Sequence, residues 1–245
     1  MNGEVYLSVI IPAYNEGERI LKTIDAISEY LSHRGFSSEI IVSSGGSTDN
    51  TVAVVRHKML NTPRLRLVED PRRGKGLGVK IGMLAAYGRI RLFTDADNST
   101  DISHFDKMRP FFDQGYEVVI ASRDPKDAPG ARQAVSQAWH KRLMGNMGNL
   151  FIQLVAVRGF WDTQCGFKAF RDSAAEKIFG QQRVPGWGFD IEALALAKAL
   201  GYRIGVIPAY WVNDPKSHVR LSTYFQVLWE TVKVRLNFWR DKYEL

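Results

Sequence analysis

Asp95 and Asp97 are separated only by Ala96; they follow Leu92-Phe93-Thr94 and precede Asn98-Ser99-Thr100. In an extended segment residues i and i+2 point to one side, so the two carboxylates can converge on one small object. Hard oxygen ligands at a strand end suit Mg²⁺ or Mn²⁺, ions that commonly bridge to phosphates. The same residue types also form solvated turns and helix caps, and the pair alone leaves both readings open. A second stretch with chemical potential is Arg72-Arg73-Gly74-Lys75-Gly76-Leu77-Gly78. It has neither G-x-G-x-x-G spacing nor the Gly-Lys-Ser/Thr ending of a P-loop. It reads either as a flexible backbone clamp that brings Lys75 to a phosphate or as a plain helix start.

The elements that must position these groups alternate along the first half. Leu7–Pro12, Glu39–Val42, Leu65–Val68, Arg91–Thr94 and Glu117–Ala121 read as strands. Between them Ile20, Ile24, Ile27 and Leu31 repeat at helical spacing, with Asn15 and Glu18 resembling a capping box and Gly35 ending the helix. Val52, Val55 and Met59 mark a second helix, the Gly74–Gly78 stretch opens a third through about Tyr87, and Phe105, Met108 and Phe112 mark a fourth. Such alternation predicts an α/β fold with a parallel sheet flanked by helices. Ligands of these sheets bind beyond the carboxyl ends of the strands. The loops at Ala13–Glu16, Ser43–Asp49, Asp95–Ser99 and Ser122–Asp124 should therefore gather at one edge.

Composition narrows the partners. The 245 residues are 45% apolar and 24% charged, enough for a sizeable core. One cysteine, Cys165, excludes an internal disulfide and a cysteine-based zinc site, and reads as a small buried packing residue. The net charge of +7 favours an anionic partner. No signal-peptide pattern and no membrane-spanning apolar run are visible, which predicts a soluble or surface-bound chain. No helix-turn-helix, RNP-type motif or zinc spacing points to nucleic acid.

The second half is basic and amphipathic. From Ala128 to Trp161 there is no Asp or Glu, while Arg132, His140, Lys141, Arg142 and Arg158 fall within it. Trp139, Leu143, Met147, Leu150 and Leu154 repeat at helical spacing. Near the C-terminus Phe225, Trp229, Val232, Leu236 and Trp239 share a helical face, with Lys233, Arg235, Arg240 and Lys242 nearby. Aromatic and basic residues together suit a bilayer interface; packing against a core is the alternative for both helices.

Ser8-Val9-Ile10-Ile11-Pro12-Ala13-Tyr14-Asn15-Glu16, Gly46-Ser47-Thr48-Asp49, Gly74-Lys75-Gly76 and Asp95-Ala96-Asp97 resemble, in order and spacing, the inverting family 2 glycosyltransferases of GT-A fold. Asp162–Phe170, Gly188-Phe189-Asp190-Ile191-Glu192 and Trp211-Val212-Asn213 with Ser217 are similar to dolichyl- or polyprenyl-phosphate glucosyltransferases. The resemblance implies one GT-A domain over 1–245, a Rossmann-like, mostly parallel sheet with basic amphipathic helices in its C-terminal half. Residues 1–122 would hold the nucleotide sugar and 123–245 the acceptor. It also implies nucleotide-sugar contacts at Pro12, Ala13, Tyr14, Glu16, Ser44, Gly45, Lys75, Asp95, Ala96 and Asp97, with Mg²⁺ or Mn²⁺ on Asp95 and Asp97. The family usually carries paired acids before the Gly-Ser-Thr-Asp turn, and here Ser44-Gly45 stands in their place.

The expected reaction is hexose transfer, from UDP-glucose above all, to an isoprenoid phosphate at the cytoplasmic face of a membrane. GDP-mannose as donor, a sugar hydroxyl as acceptor, and a weakened nucleotide-sugar-binding protein are the alternatives. Expected catalytic residues are Asp97, Asp190, Arg123, Lys168 and Asp162. A phosphate acceptor is already largely dianionic at neutral pH and needs cations more than a base. Arg123, Lys168, Arg132 and Arg142 are the candidates, with His218 and Arg220 on a closing loop. Asp190 serves as base only for a hydroxyl acceptor; otherwise it binds sugar hydroxyls, orients a cation, or caps the Ile191–Leu200 helix. Asp162 otherwise forms a turn before a strand.

Overall fold

Alternation along each strand divides the core between the two faces of one sheet. In β1 (Leu7–Ala13), Leu7, Val9 and Ile11 pack on one side and Ile10 on the other. The same split separates Leu92 from Phe93 in β4 (Ile90–Thr94), and Phe167 and Ala169 from Phe170 in β7 (Phe167–Arg171). One face is covered by α1 (Ile20–Ser32), with Ile20, Ile24 and Ile27, and by α4 (Phe105–Asp113), with Phe105 and Met108. The other is covered by α3 (Lys75–Ala85), α6 (Asp172–Gln181), α7 (Phe189–Ala199) and α8 (Leu221–Trp239). The computed structural model describes residues 4–134, 139–212 and 221–245, without the side chains of residues 139–144 and Leu221.

The remaining strands are β2 (Ser38–Gly45), β3 (Leu65–Asp70), β5 (Val118–Ser122) and β8 (Ile204–Pro208), and the seven strands lie in the order β3-β2-β1-β4-β7-β5-β8. Helix α2 (Thr51–Met59) follows β2, and α5 (Trp139–Val155) lies in the basic stretch. A two-stranded sheet pairs β6 (Arg132–Gln133) with β9 (Tyr210–Trp211). The five expected strands are present, and β1 pairs in parallel with both β2 and β4. The additions are β8, which pairs in parallel with β5, and β7, which runs antiparallel between β4 and β5. The amino-terminal end of β7 therefore lies at the edge where the parallel strands finish, with Thr94 paired to Phe167.

Three local expectations change. Asn15 does not cap α1, whose N-cap is Arg19 and has no side-chain capping bond. Instead Asn15 takes a left-handed φ of 54°, and its Oδ1 accepts the Thr48 amide at 2.8 Å, tying the first loop to the second. Asp190 does not cap α7 either; Gly188 is the N-cap and Asp190 lies in the first turn. The first helix ends at Ser32, before Gly35.

Candidate active site

Four loops meet at the carboxyl edge because β1, β2 and β4 run parallel there. The Asp-Ala-Asp loop is held from within. Thr23 Oγ1, on α1, donates to the Ala96 carbonyl at 2.6 Å, and Asp97 Oδ1 accepts the Ser99 amide at 2.9 Å. Asn98 between them adopts a left-handed φ of 54°. The reversed direction of β7 brings Gly166 against Asp95. A Cβ on Gly166 would lie 2.0 Å from Asp95 Oδ2 and 2.7 Å from Oδ1. Glycine lets the carboxylate sit here, and any side chain at this position would displace it.

Lys75, at the first turn of α3, sits 2.7 Å from Asp95 Oδ1 as an ion pair. The contact is poorly directed for a hydrogen bond, which leaves that buried oxygen without an aligned donor. Burial alone would lower the Lys75 pKa, but Asp95, Asp190 and Asp97 outweigh it and raise the value. The ammonium thus stays charged within the field of three carboxylates, 5.1 Å from the Trp187 ring centre. Among the described residues no three carboxylate, histidine or cysteine groups gather as a metal cluster. Asp95 and Asp97 fit an ion that takes one or two carboxylates and completes its shell with phosphate oxygens and water, the habit of Mg²⁺.

In the loop after β1 Tyr14 is 42% exposed, with the Arg73 guanidinium 5.1 Å from its ring centre. Glu16 is ion-paired to Arg19, and its amide donates to Thr51 Oγ1 at 2.8 Å. Ser44 is buried and donates to Ser47 Oγ at 2.9 Å. Gly45 approaches the Arg72 carbonyl and pairs in register with Asp70. An acid therefore stands one strand away from the Ser44-Gly45 turn, chelated by Arg72 through Nε at 2.9 Å and Nη2 at 2.7 Å. The Arg72 hydrogen bond holds the Asp70 carboxyl down to about 2.

Lys168 and Asp190 form a buried pair. Lys168 Nζ donates to Asp190 Oδ1 at 2.5 Å and to the Cys165 carbonyl at 2.6 Å, and it is 0% exposed. Lys168 is thus the fixed counter-ion of Asp190, and in this structure it does not present its ammonium to an acceptor, contrary to the expectation for that residue. Burial pushes the Asp190 carboxyl up, against the pull of Lys168 and Lys75.

Arg123 and Asp162 are joined as well. Arg123 donates through Nε at 2.7 Å and Nη2 at 2.8 Å, a bidentate fork. Burial raises the Asp162 pKa, but Arg123 more than offsets this and brings it down to about 2. Asp127, which sequence reasoning missed, accepts the Trp161 and Asp162 amides at 2.7 and 2.8 Å and fixes that turn. Arg132 is exposed, with its guanidinium 4.9 Å from the Tyr210 ring centre. The β6–β9 sheet that carries it is tied to the Asp-Ala-Asp loop where Val212 donates to Ser99 O at 2.9 Å. The side chain of Arg142 and the whole of Asn213–Arg220, with Ser217, His218 and Arg220, lie outside the described residues. Cys165 is buried, as expected, and burial pushes its thiol up to about 12.

Comparison with known proteins agrees with this geometry. Residues 8–179 match the profile of Glycosyl transferase family 2. Dolichyl-phosphate beta-glucosyltransferase ALG5C of Trichomonas vaginalis is 32% identical over 96% of this chain and 72% of its own length. Dolichyl-phosphate beta-glucosyltransferase of Saccharomyces cerevisiae is 35% identical over 89% of this chain and 70% of its own. Among solved structures, glucosyl-3-phosphoglycerate synthase from Mycobacterium tuberculosis, in complex with Mn²⁺, UDP and phosphoglyceric acid, superposes with a TM-score of 0.70. The match covers 95% of this chain and 78% of that one, at 19% identity. The seven-stranded arrangement is accordingly the GT-A fold. A chain with this sheet, this carboxylate loop and these relatives belongs to glycosyl transferase family 2.

Proposed function

We propose that the chain transfers glucose from UDP-glucose to the phosphate of a dolichyl or polyprenyl phosphate, with inversion at the anomeric carbon. The observation that supports this best is the Lys75–Asp95 pair, seated against Gly166 within reach of Asp97 and Asp190. Mg²⁺ or Mn²⁺ on Asp95 and Asp97, when bound, supplies charge to the departing nucleoside diphosphate. Lys75 is a second cation on that side, fixed before the reaction begins. Tyr14, Pro12, Ala13, Glu16, Ser44 and Gly45 form the nucleotide wall.

The acceptor phosphate oxygen attacks from the face opposite the leaving group. Because this nucleophile is largely dianionic at pH 7, no strong base is required. We assign Asp190, with its counter-ion Lys168, to the donor-sugar hydroxyls. Arg123, aligned by Asp162, and Arg132 offset the repulsion between two anions.

A membrane surface, on its cytoplasmic face, is the proposed location. No helix among the described residues is long and apolar enough to cross a bilayer. Two helices instead expose apolar side chains: Met147, Leu150 and Leu154 on α5, and Phe225, Trp229 and Trp239 on α8, between 52% and 68% exposed. Core packing takes Ile152 of α5, and Val227, Thr231 and Val234 of α8. Aromatic and cationic groups on one surface suit the headgroup region.

The test is transfer of labelled glucose from UDP-glucose to polyprenyl phosphate, with Mn²⁺ and then with EDTA. Label in the organic phase, lost with EDTA, is the expected result. Preferred transfer from GDP-mannose would overturn the donor, and product confined to the aqueous phase would overturn the acceptor.

A further inference from the structure

A group of four cations without ion-pair partners among the described residues lies away from the carboxylate loop. A crevice of about 380 Å³ opens between α8 and the 183–185 segment. Arg183, Lys233, Arg240 and Lys242 line it, together with Asn237 and Glu230. Its volume is within the range of small-molecule sites, roughly 300–1,000 Å³. Lys233 and Asn237 stand at i and i+4 on α8, and Arg240, just past its end, is held there by its amide, which donates to the Leu236 carbonyl at 3.0 Å. Arg183 is oriented from the other wall, where its Nε and Nη2 donate to the Lys242 carbonyl at 2.9 and 2.6 Å.

The one carboxylate in the crevice does not neutralise these cations. Glu230 Oε2 accepts the Gly188 amide at 2.6 Å, and its Oε1 accepts Gln226 Nε2 at 2.8 Å. None of the four cations has an ion-pair partner among the described residues. Trp229, one turn before Lys233 and 5.6 Å from its ammonium, continues the same face as an exposed aromatic. An aromatic anchor that runs into a cationic crevice sets the crevice at the depth of lipid phosphates.

We infer that this crevice is a binding site for the phosphate of an anionic phospholipid headgroup, separate from the donor and acceptor sites. The inference rests on the membrane-surface reading above. Its ligand joins α8 to the 183–185 segment, whose continuation reaches the active site. Pro185 O and Gly186 O accept the Leu77 and Gly76 amides at 3.1 and 3.2 Å, beside Lys75. Occupancy therefore braces the strand of chain on which the Gly-Lys-Gly turn is built.

The test is co-sedimentation of the full chain with phosphatidylcholine vesicles, with and without phosphatidylglycerol. The wild type is expected to prefer the anionic vesicles, and Lys233→Ala/Arg240→Ala to weaken that binding roughly thirty-fold, the share of two cations near a charged leaflet. Lys107→Ala/Lys177→Ala removes the same charge from exposed positions on α4 and α6, outside the crevice and off α8, and is expected to lose far less. Equal losses in the two double variants would mean a diffuse field and overturn the site. Wild-type binding to both vesicles without preference would overturn the site alone, while binding to neither would overturn the membrane reading first. Calorimetry with glycerol phosphate completes the test: tight binding of this soluble probe by the wild type would overturn the lipid as source.

Discussion

Gly166→Ala isolates the carboxylate loop from everything else in the fold. Gly166 lies just before β7, and the Cβ that alanine adds would stand 2.0 Å from Asp95 Oδ2 and 2.4 Å from its Cγ. Ordinary contact begins near 3.4 Å, so the carboxylate must retreat by about 1.4 Å. That displacement disturbs the 2.7 Å Lys75 contact and moves one of the two carboxylates proposed to hold the metal. Misplacement of a positioning group by about 1 Å costs on the order of a hundred-fold in rate. The overpacking itself costs about 1–3 kcal/mol of stability. Steady-state turnover, titrated with Mn²⁺ beside thermal unfolding, separates the two effects. The expected outcome is a folded protein with kcat down about a hundred-fold and half-activation at higher Mn²⁺. A variant with the wild-type metal response would refute the seating of Asp95 on Gly166.

Other perturbations address other parts of the site. Asp97→Asn removes the second carboxylate proposed for the metal, and metal-dependent turnover should vanish; wild-type rates would sink that assignment. Arg132→Ala should raise the acceptor KM several-fold and leave the donor KM alone, which initial-rate kinetics against each substrate will read. Arg123→Ala strands Asp162 in a buried setting, so the expected loss is about 3–5 kcal/mol in urea unfolding; a loss below about 1 kcal/mol would refute the importance of the fork. The Asp162 pKa falls from 3.8 to about 2 on folding. Its contribution, about 2 kcal/mol, is complete above pH 4 and fades as pH falls through about 2. Asp162→Asn should therefore flatten acid unfolding in that window, and an unchanged pH profile would count against the pair.

Much of the first half was legible because its signals are local. The apolar runs at Leu7–Pro12 and Arg91–Thr94 are long enough to declare strands, and parallel topology then forces their following loops to one edge. The position of β7 was not legible. Phe167-Lys168-Ala169-Phe170 alternates correctly, but alternation does not name a strand's neighbours or direction. Lys168 read as an accessible cation because lysine is seldom buried; its pairing to Asp190 depends on that same insertion. Asn15 was legible as a loop residue, yet its partner Thr48 is remote in sequence, so local capping seemed sufficient. Gly166 carries no signal in a single sequence, since its need for glycine comes from Asp95 across the sheet.

The C-terminal helix has a larger part in the site than its distance in sequence suggests. Glu230 holds the Gly188 amide, and Gly186 and Gly188 must lack side chains because its carboxylate approaches so closely. From the other side Glu192 accepts the Arg183 and Val184 amides at 2.9 and 2.8 Å and the Tyr243 hydroxyl at 2.5 Å. Two buried carboxylates thus fix residues 183–188, and that segment accepts the Gly76 and Leu77 amides, while Gln182 Nε2 donates to the Gly76 carbonyl at 2.9 Å. Lys75 is therefore placed by a relay that begins on the exposed aromatic helix. On the proposed reading a membrane-facing element and a diphosphate-facing lysine share one support, so a shift of α8 has to carry the Gly-Lys-Gly turn with it or break the Glu230–Gly188 bond.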